Sequence, residues 1–259
     1  MVVIGHSGHS QFDLLHELMR RGAALPSRIV ALALTGEDFH GQGRRPWRAV
    51  AGNLHLTVYC RTSLPAADVM GAVSILPTLA VMDAFDIVAR PAERTGIRWL
   101  NDVFLQGKKL AGSIAATAIE GDRMEGVLFG VGVNVEAVPD LSGDEFVPGA
   151  TGLAAADPEA GWTLGRAVFK LLPALFARIE ALEAGNIAGL LDAYAERSAC
   201  IGQKVSIWPK YTQDATSCPP LAQGRVLSIT RSLAVCLEGC EPIPEGRLAF
   251  VDSGPSAAG

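Results

Sequence analysis

A chain of 259 residues, 49% of them hydrophobic and 19% charged, is long enough to bury a full core and to carry a small second domain beside a main one. Its net charge of −5 argues against a general nucleic-acid binder. No apolar run reaches the ~18 residues of a membrane span, and the opening MVVIGHSGHS has no basic region ahead of an apolar one, so a cytoplasmic protein with no membrane partner is expected.

The spacing predicts a helix over 11–21, where Phe12, Leu15, Leu18 and Met19 form one stripe behind Ser10. The continuous apolar run 28–35 predicts a buried strand. A Gly- and Arg-rich loop over 36–52 follows, and 53–60 alternates as a second strand. Residues 66–89 read as a long helix that Pro77 kinks or restarts. Strands over 97–105, 108–119 and 124–135 form a meander with Glu120-Gly121-Asp122 as a tight turn. A Gly-, Pro-, Asp- and Ala-rich connection over 142–163 reads as mobile, and two helices follow at 164–184 and 187–197. Beyond residue 199 the texture changes to short strand-like runs at 202–208, 222–229 and 233–237, and the tail 253–259 reads as disordered. The predicted division is therefore a domain of residues 1–198 and a small all-β domain of residues 199–259. The five cysteines, Cys60, Cys200, Cys218, Cys236 and Cys240, are odd in number and show no Cys-x-x-Cys spacing; they read as free thiols of a reducing compartment.

The segment most informative about chemistry is Arg98 to Gly112, RWLNDVFLQGKKLAG. Lys109 stands directly before Leu110-Ala111-Gly112, where a buried sheet face begins and a side chain is missing. A cation at the mouth of an apolar slot, beside backbone that can be approached closely, suits an anion with an apolar tail. A carboxylic acid undergoing activation has that character. Such chemistry needs cations, backbone donors and a dry slot, and little nucleophilic help from the protein.

Arg98-Trp99-Leu100-Asn101-Asp102, Lys109-Leu110-Ala111-Gly112 and Gly130-Val131-Gly132-Val133-Asn134 resemble, in order and spacing, segments of the biotin protein ligase family. Upstream, Gly41-Gln42-Gly43-Arg44-Arg45-Pro46-Trp47 resembles that family's Gly-Arg-Gly-Arg-Arg-Gly loop, with Gly52-Asn53-Leu54 after it. The resemblance is close over residues 35–135. It departs from the pattern at Gln42, Pro46 and Leu100, and at His9-Ser10-Gln11 in place of Ser-Thr-Asn.

The resemblance implies an α+β fold: a biotin/lipoate ligase-like catalytic domain with a mixed sheet flanked by helices, followed by a small SH3-like β-barrel. It implies ATP-dependent conversion of biotin to biotinyl-5′-AMP and transfer to a lysine of a carboxylase carrier domain, with ATP and Mg²⁺ required. A lipoate or octanoate ligase or transferase of the same fold, and a non-catalytic biotin- or acyl-adenylate-binding module, are the alternatives open at this point. No nucleic-acid partner is expected, and a homodimer is compatible with the reading. By the same resemblance Lys109, Arg44 and Asp102 are catalytic candidates, and Ser10, Gly41, Gly43, Arg45, Gly112 and Gly130 bind the acid. Trp47, Arg98, Asn101, Gly132 and Asn134 bind the nucleotide, with no stable metal site but Mg²⁺ accompanying ATP near Asn101. Bland roles remain open beside these: a capped turn for Asn101-Asp102, a solvated basic turn for Arg44-Arg45, core packing for Trp47 and a bulge for the strand glycines.

Overall fold

The computed structural model describes residues 1–140 and 143–251. The expected disordered tail and the first residue of the expected mobile connection lie outside the described residues.

The main body is a seven-stranded sheet of β1 (Val2–Ile4), β2 (Ile29–Ala33), β3 (Leu54–Pro65), β4 (Gly96–Arg98), β5 (Asp102–Leu105), β6 (Lys108–Glu120) and β7 (Arg123–Val133). Their order is β1-β2-β3-β7-β6-β5-β4. Only β1 and β2 run parallel, so the sheet is mixed, and β4 to β7 are the meander that the sequence predicts. The run expected as one strand over 97–105 is two, because Trp99 to Asn101 turn the chain between β4 and β5; the Trp99–Leu100 peptide is cis.

Alternation along β3 sorts the two faces. Leu54, Leu56 and Val58 enter the main core, whereas His55, Thr57 and Tyr59 face the opposite side. The main core side is covered by α2 (Ala66–Ala84), α4 (Leu164–Glu183) and α5 (Ile187–Glu196), and a short α3 (Leu153–Ala156) precedes the last two. α2 is apolar on nearly all sides because it lies between the sheet and α4, and Leu76 and Leu79 are completely buried. Burying each such leucine contributes about 1.5–3 kcal/mol. The helix continues through Pro77 without a break, contrary to the local expectation, since packing on both sides holds it. With 19 residues it is also long and apolar enough to cross a membrane by length and composition, which corrects the reading that no run reaches that length. Two thirds of that stretch, 67%, is buried inside the protein.

The other face carries α1 (Gln11–Arg20) and the Gly-rich loop. Phe12 and Met19 of α1 pack with Tyr59 and Leu128 in a smaller cluster. The described part of the connection, 143–163, is irregular but docked. Phe146 is fully buried, and Lys109 N donates to Gly149 O at 2.9 Å while Thr151 N donates to Lys109 O at 3.0 Å.

The C-terminal strands β8 (Lys204–Trp208), β9 (Ala222–Ile229), β10 (Val235–Leu237) and β11 (Arg247–Phe250) form a second, antiparallel sheet of order β10-β9-β8-β11. It is open, with β10 and β11 at its edges, where a closed SH3-like barrel was expected. The chain between those edges contains Glu241-Pro242-Ile243-Pro244, and prolines cannot donate to a closing ladder. The two sheets share one continuous core. Trp99 Nε1 donates to Leu233 O at 2.8 Å, and Ile97 exchanges backbone bonds with Arg197 and Ala199 at 2.8 Å each.

Candidate active site

One rung of the large sheet builds the centre. Arg98, Asp102, Gly112, Gly132 and His55 are successive partners across β4, β5, β6, β7 and β3. The β5–β6 turn uses Gln106 and Gly107, both at positive φ (49° and 76°), as a two-residue hairpin with right-handed twist requires. An irregularity in that ladder beside Phe104 and Lys109 interrupts the alternation, and Lys109 reaches Asp102 on the side that Gly112 leaves open. A Cβ at Gly112 would lie 3.2 Å from Asp102 Oδ1 and 3.4 Å from Lys109 Nζ.

Asp102 is a buried carboxylate between a half-buried and a buried cation: Oδ1 is 2.7 Å from Lys109 Nζ and Oδ2 is 2.8 Å from Arg98 Nη2. Burial alone would raise its pKa, but Lys109, Arg98 and Arg45 bring it down to about 2. Burial pushes Lys109 below its ordinary value, against the opposing pull of Asp102. Arg98 also stacks on Phe104 at 4.2 Å, donates to Phe146 O, and leaves its Nε buried without a partner.

The second sheet adds a further cation. Arg247 stands 3.6 Å over the Phe146 ring, donates from Nη1 to Thr212 O and Gln213 O at 2.8 and 2.9 Å, and lies 3.9 Å from Asp144. Burial and the neighbouring Arg45 lower it to about 10. Around the centre four cations, Arg45, Arg98, Lys109 and Arg247, thus face two carboxylates, Asp102 and Asp144. An anion is the ligand such an excess favours.

Two cavities meet here. A wide one of about 480 Å³ lies between the sheets and draws Arg98 and Lys109 from one, Arg247 from the other and Lys210 from the turn after β8. A narrow one of about 80 Å³ runs beneath α1, among Ser10, Gln11, Phe12, Thr57 and Ile114. Both are lined by Arg45, Trp47, Asn101, Asp102 and Lys109, so the Asp102–Lys109 pair stands at their junction.

Apart from Arg44, the residues singled out from the sequence fall into three groups. Lys109, Asp102, Asn101, Arg45 and Trp47 line both cavities; Ser10, Gly41, Gly112, Gly130 and Gly132 line the narrow one; Gly43, Arg98 and Asn134 line the wide one. Arg44 is exposed, at φ 57°, and lines neither. Two of the strand glycines make room for protein rather than for a ligand: a Cβ at Gly130 would meet Ile114 and Phe12 at 2.8 Å, and one at Gly132 would meet Trp47 at 2.5 Å. The amides of Asn101 and Asn134 are engaged in bracing. Asn101 Nδ2 donates to Ser113 O, and Asn134 Nδ2 to Thr151 O at 3.0 Å. Trp47 Nε1 donates to His55 Nδ1 at 3.2 Å, and His55 Nε2 bonds Val50 O at 3.2 Å. Those two bonds fix one tautomer of a neutral imidazole whose pKa burial lowers.

Sequence reasoning missed Gln11, His55, Phe146, Lys210 and Arg247. The helix stripe could have flagged Gln11 as a polar residue at a buried helix start. The others meet the site only through contacts distant along the chain.

A metal near Asn101 finds little to hold it. Asp102 is committed to two cations, the Asn101 amide nitrogen to Ser113, and no cluster of three His, Cys, Asp or Glu exists among the described residues.

Residues 23–134 match the model of the biotin/lipoate A/B protein ligase family. The chain is 34% identical over 181 residues to the biotin–[acetyl-CoA-carboxylase] ligase of Paracoccus denitrificans, covering 68% of this chain and 73% of that one. It is 33% identical over 213 residues to the same-named ligase of Mycobacterium tuberculosis, covering 79% and 73%. In fold it is similar to the biotin protein ligase of Aquifex aeolicus in complex with biotin and ATP, with TM-score 0.69 and 15% identity over 97% of this chain and 98% of that one. With catalytic-face geometry, motifs and relatives in agreement, the chain belongs to the biotin/lipoate A/B protein ligase family.

Proposed function

We propose that this protein is a biotin–protein ligase that activates biotin with ATP as biotinyl-5′-AMP and passes the acyl group to a lysine of a carboxylase carrier domain. The observation that carries the reading is the junction: a narrow neutral slot and a wide cation-rich cavity meet at Lys109. The slot takes the acid's tail and the wide cavity takes ATP, so the carboxylate and the α-phosphate come together beside one ammonium.

In the first step a biotin carboxylate oxygen attacks the α-phosphorus and pyrophosphate leaves with the electrons of the broken P–O bond. Lys109 faces the carboxylate and the developing charge, while Arg45, Lys210 and Arg247 face the polyphosphate. In this reading Arg45 is the loop cation at the site, and Arg44 is not. In the second step the neutral amine of the acceptor lysine attacks the acyl carbon, the acyl–oxygen bond to AMP breaks, AMP leaves with that electron pair, and the proton lost by the amine passes to the departing phosphate or to solvent. Asp102, ionised at all working pH values, aligns cations and accepts a proton poorly. Its part is to hold Lys109 and Arg98 in place. Mg²⁺ enters with ATP, held mainly by the phosphates, and no step is assigned to a protein-held ion.

The proposal includes the division at residues 198/199, with the second sheet as a module that closes the nucleotide side. It also includes a cytoplasmic location and partners that exclude nucleic acid and membrane, in keeping with the −5 net charge; a homodimer is compatible with it. The test is biotin-dependent exchange of labelled pyrophosphate into ATP, followed by transfer of biotin to an isolated carrier domain. Exchange without transfer would remove the ligase step; neither would remove the reading.

A further inference from the structure

His55 lies on β3 and is 2% exposed, yet both of its ring nitrogens are engaged by one loop. Trp47 Nε1 donates to Nδ1 at 3.2 Å, and Nε2 donates to Val50 O at 3.2 Å. An indole nitrogen can only donate and a carbonyl can only accept, so the two bonds require the neutral ring with its hydrogen on Nε2. Phe39, near the start of the same loop, meets the imidazole edge-on at 5.7 Å, and Trp47 does so at 6.5 Å. Trp47 N also donates to Phe39 O at 2.8 Å, so both ends of the Gly-rich loop close on one imidazole. What the imidazole places is Trp47. The indole lines both cavities, lies 5.8 Å from Lys109 Nζ and fills the space that Gly132 leaves.

A second proton on His55 would find no acceptor. It would set an N–H on Nδ1 against the N–H of Trp47, so that a bond is replaced by two opposed donors. Nε2 would keep Val50 O, and the loss would fall on Trp47. Burial holds His55 below its ordinary pKa, against the pull of the Val50 carbonyl, so the neutral ring persists at neutral pH and is lost on acidification. The elements around it offer no free carboxylate to hold an imidazolium. Its partners on β2 and β7 are Ala33 and Gly132, and α1 presents Gln11 and Phe12. Of the charged groups in the narrow cavity, Asp102 is paired with Lys109 and Arg98, His40 with Asp13, and Arg45 is a cation. Glu37 and Asp38, beside Phe39, are exposed and face His6 and His9 at 3.7 Å, and Arg48, beside Trp47, is exposed.

We infer that His55 is a positioning residue for the adenylation step: its neutral ring pegs Trp47, and with it the loop that carries Arg45, at the junction of the two cavities, and a proton on Nδ1 withdraws the peg. The peg stands on the geometry; its kinetic consequence rests on the ligase reading. That consequence is an acid limb in the first step that belongs to the protein and to neither substrate.

The peg is tested without catalysis, by nitrogen-15 NMR of the wild-type protein. Nδ1 of His55 should be unprotonated at neutral pH, and the indole N–H signal of Trp47 should move together with the His55 ring as pH falls, before the fold is lost. Nδ1 protonated at neutral pH, or a Trp47 signal that stays still until unfolding, overturns the inference. The kinetic arm compares biotin-dependent pyrophosphate exchange in wild type, His55→Phe and His55→Asn across the same pH range, where titration of biotin and ATP is common to all three. His55→Phe offers no acceptor and should lower kcat/KM about tenfold at neutral pH, the effect of one hydrogen bond. His55→Asn carries an acceptor near the place of Nδ1 and cannot take the proton. It should recover part of that loss and lack the acid limb of wild type. Variants whose rates fall with acid in parallel with wild type overturn the role of His55 while the ligase reading stands. If the variants fail to fold, the NMR titration of wild type decides alone. Wild-type protein without exchange at any pH sinks the ligase reading, and the NMR titration still decides the peg.

Discussion

The two cavities that meet at Lys109 are built on opposite principles. The wide one gathers charge from both parts of the chain: Arg98 and Lys109 from the first sheet, Arg247 from the second, and Lys210, paired with Glu245, from the turn after β8. The narrow one contains neutral polar groups, Ser10, Gln11 and Thr57, among apolar side chains under one helix. Excess cations favour polyphosphate with little demand on its exact pose, whereas neutral groups in a narrow slot select by hydrogen-bond geometry. The difference teaches that charge is concentrated on one side of Lys109 and neutral polar groups on the other, which in the proposed reading separates nucleotide affinity from choice of the acid. Substitutions on the two sides should separate accordingly.

The largest effect is expected where the two sides join. Asp102→Asn leaves Arg98 buried and Lys109 half-buried without a counter-charge and should cost about 3–5 kcal/mol of stability, read from denaturant unfolding. A loss under 1 kcal/mol would mean that Asp102 does not hold the junction together. Lys109→Ala keeps Asp102 paired with Arg98, so the fold should survive. Acid-dependent pyrophosphate release should fall about 10²–10³-fold, and unchanged release would remove Lys109 from the chemistry.

The same pair predicts a pH dependence. The folded pKa of Asp102, about 2, lies below its ordinary value, so its ion pairs stabilise the fold above pH ~4. That contribution, roughly 2 kcal/mol, is lost as pH falls from about 4 to about 2. Unfolding free energies of wild type and Asp102→Asn should converge across that window; parallel curves would assign the acid sensitivity elsewhere.

The smallest of these effects sharpens the comparison most. Arg247→Gln removes a charge from the wide side alone and should raise KM for ATP about tenfold, leaving the dissociation constant for biotin unchanged. Gln42, which lines both cavities, supplies the converse: Gln42→Arg adds a cation at the junction and should slow release of biotinyl-adenylate by a similar factor. If Arg247→Gln weakens biotin as much as ATP, the two cavities do not act separately.

Much of the charged side was legible in the chain. Arg98, Asn101, Asp102, Lys109 and Gly112 lie within one hairpin and its approach, so their spacing fixes their proximity through strand pairing. The meander, the long helices and the texture change near residue 199 follow from local hydrophobic periodicity in the same way. Arg44 and Arg45 show the limit: adjacent in sequence and chemically alike, they differ in where the loop turns each one, and Arg45 alone reaches the cavities. The strand glycines show another. Their lack of a side chain is written in the sequence, but not that Trp47 and Phe12 would occupy the space.

The sequence by itself determined the family motifs, the order of most elements and the candidacy of Arg98, Asp102 and Lys109, because each depends on residues close along the chain; that these three pair with one another came from the structure. Tertiary structure alone decided that α2 passes unbroken through Pro77, that Phe146 bridges Arg98 and Arg247, and that the oxygen of Gln11 is left unpaired beneath α1. Those facts arise from contacts between segments tens to more than a hundred residues apart, where burial outweighs local preference and no periodicity records the partner.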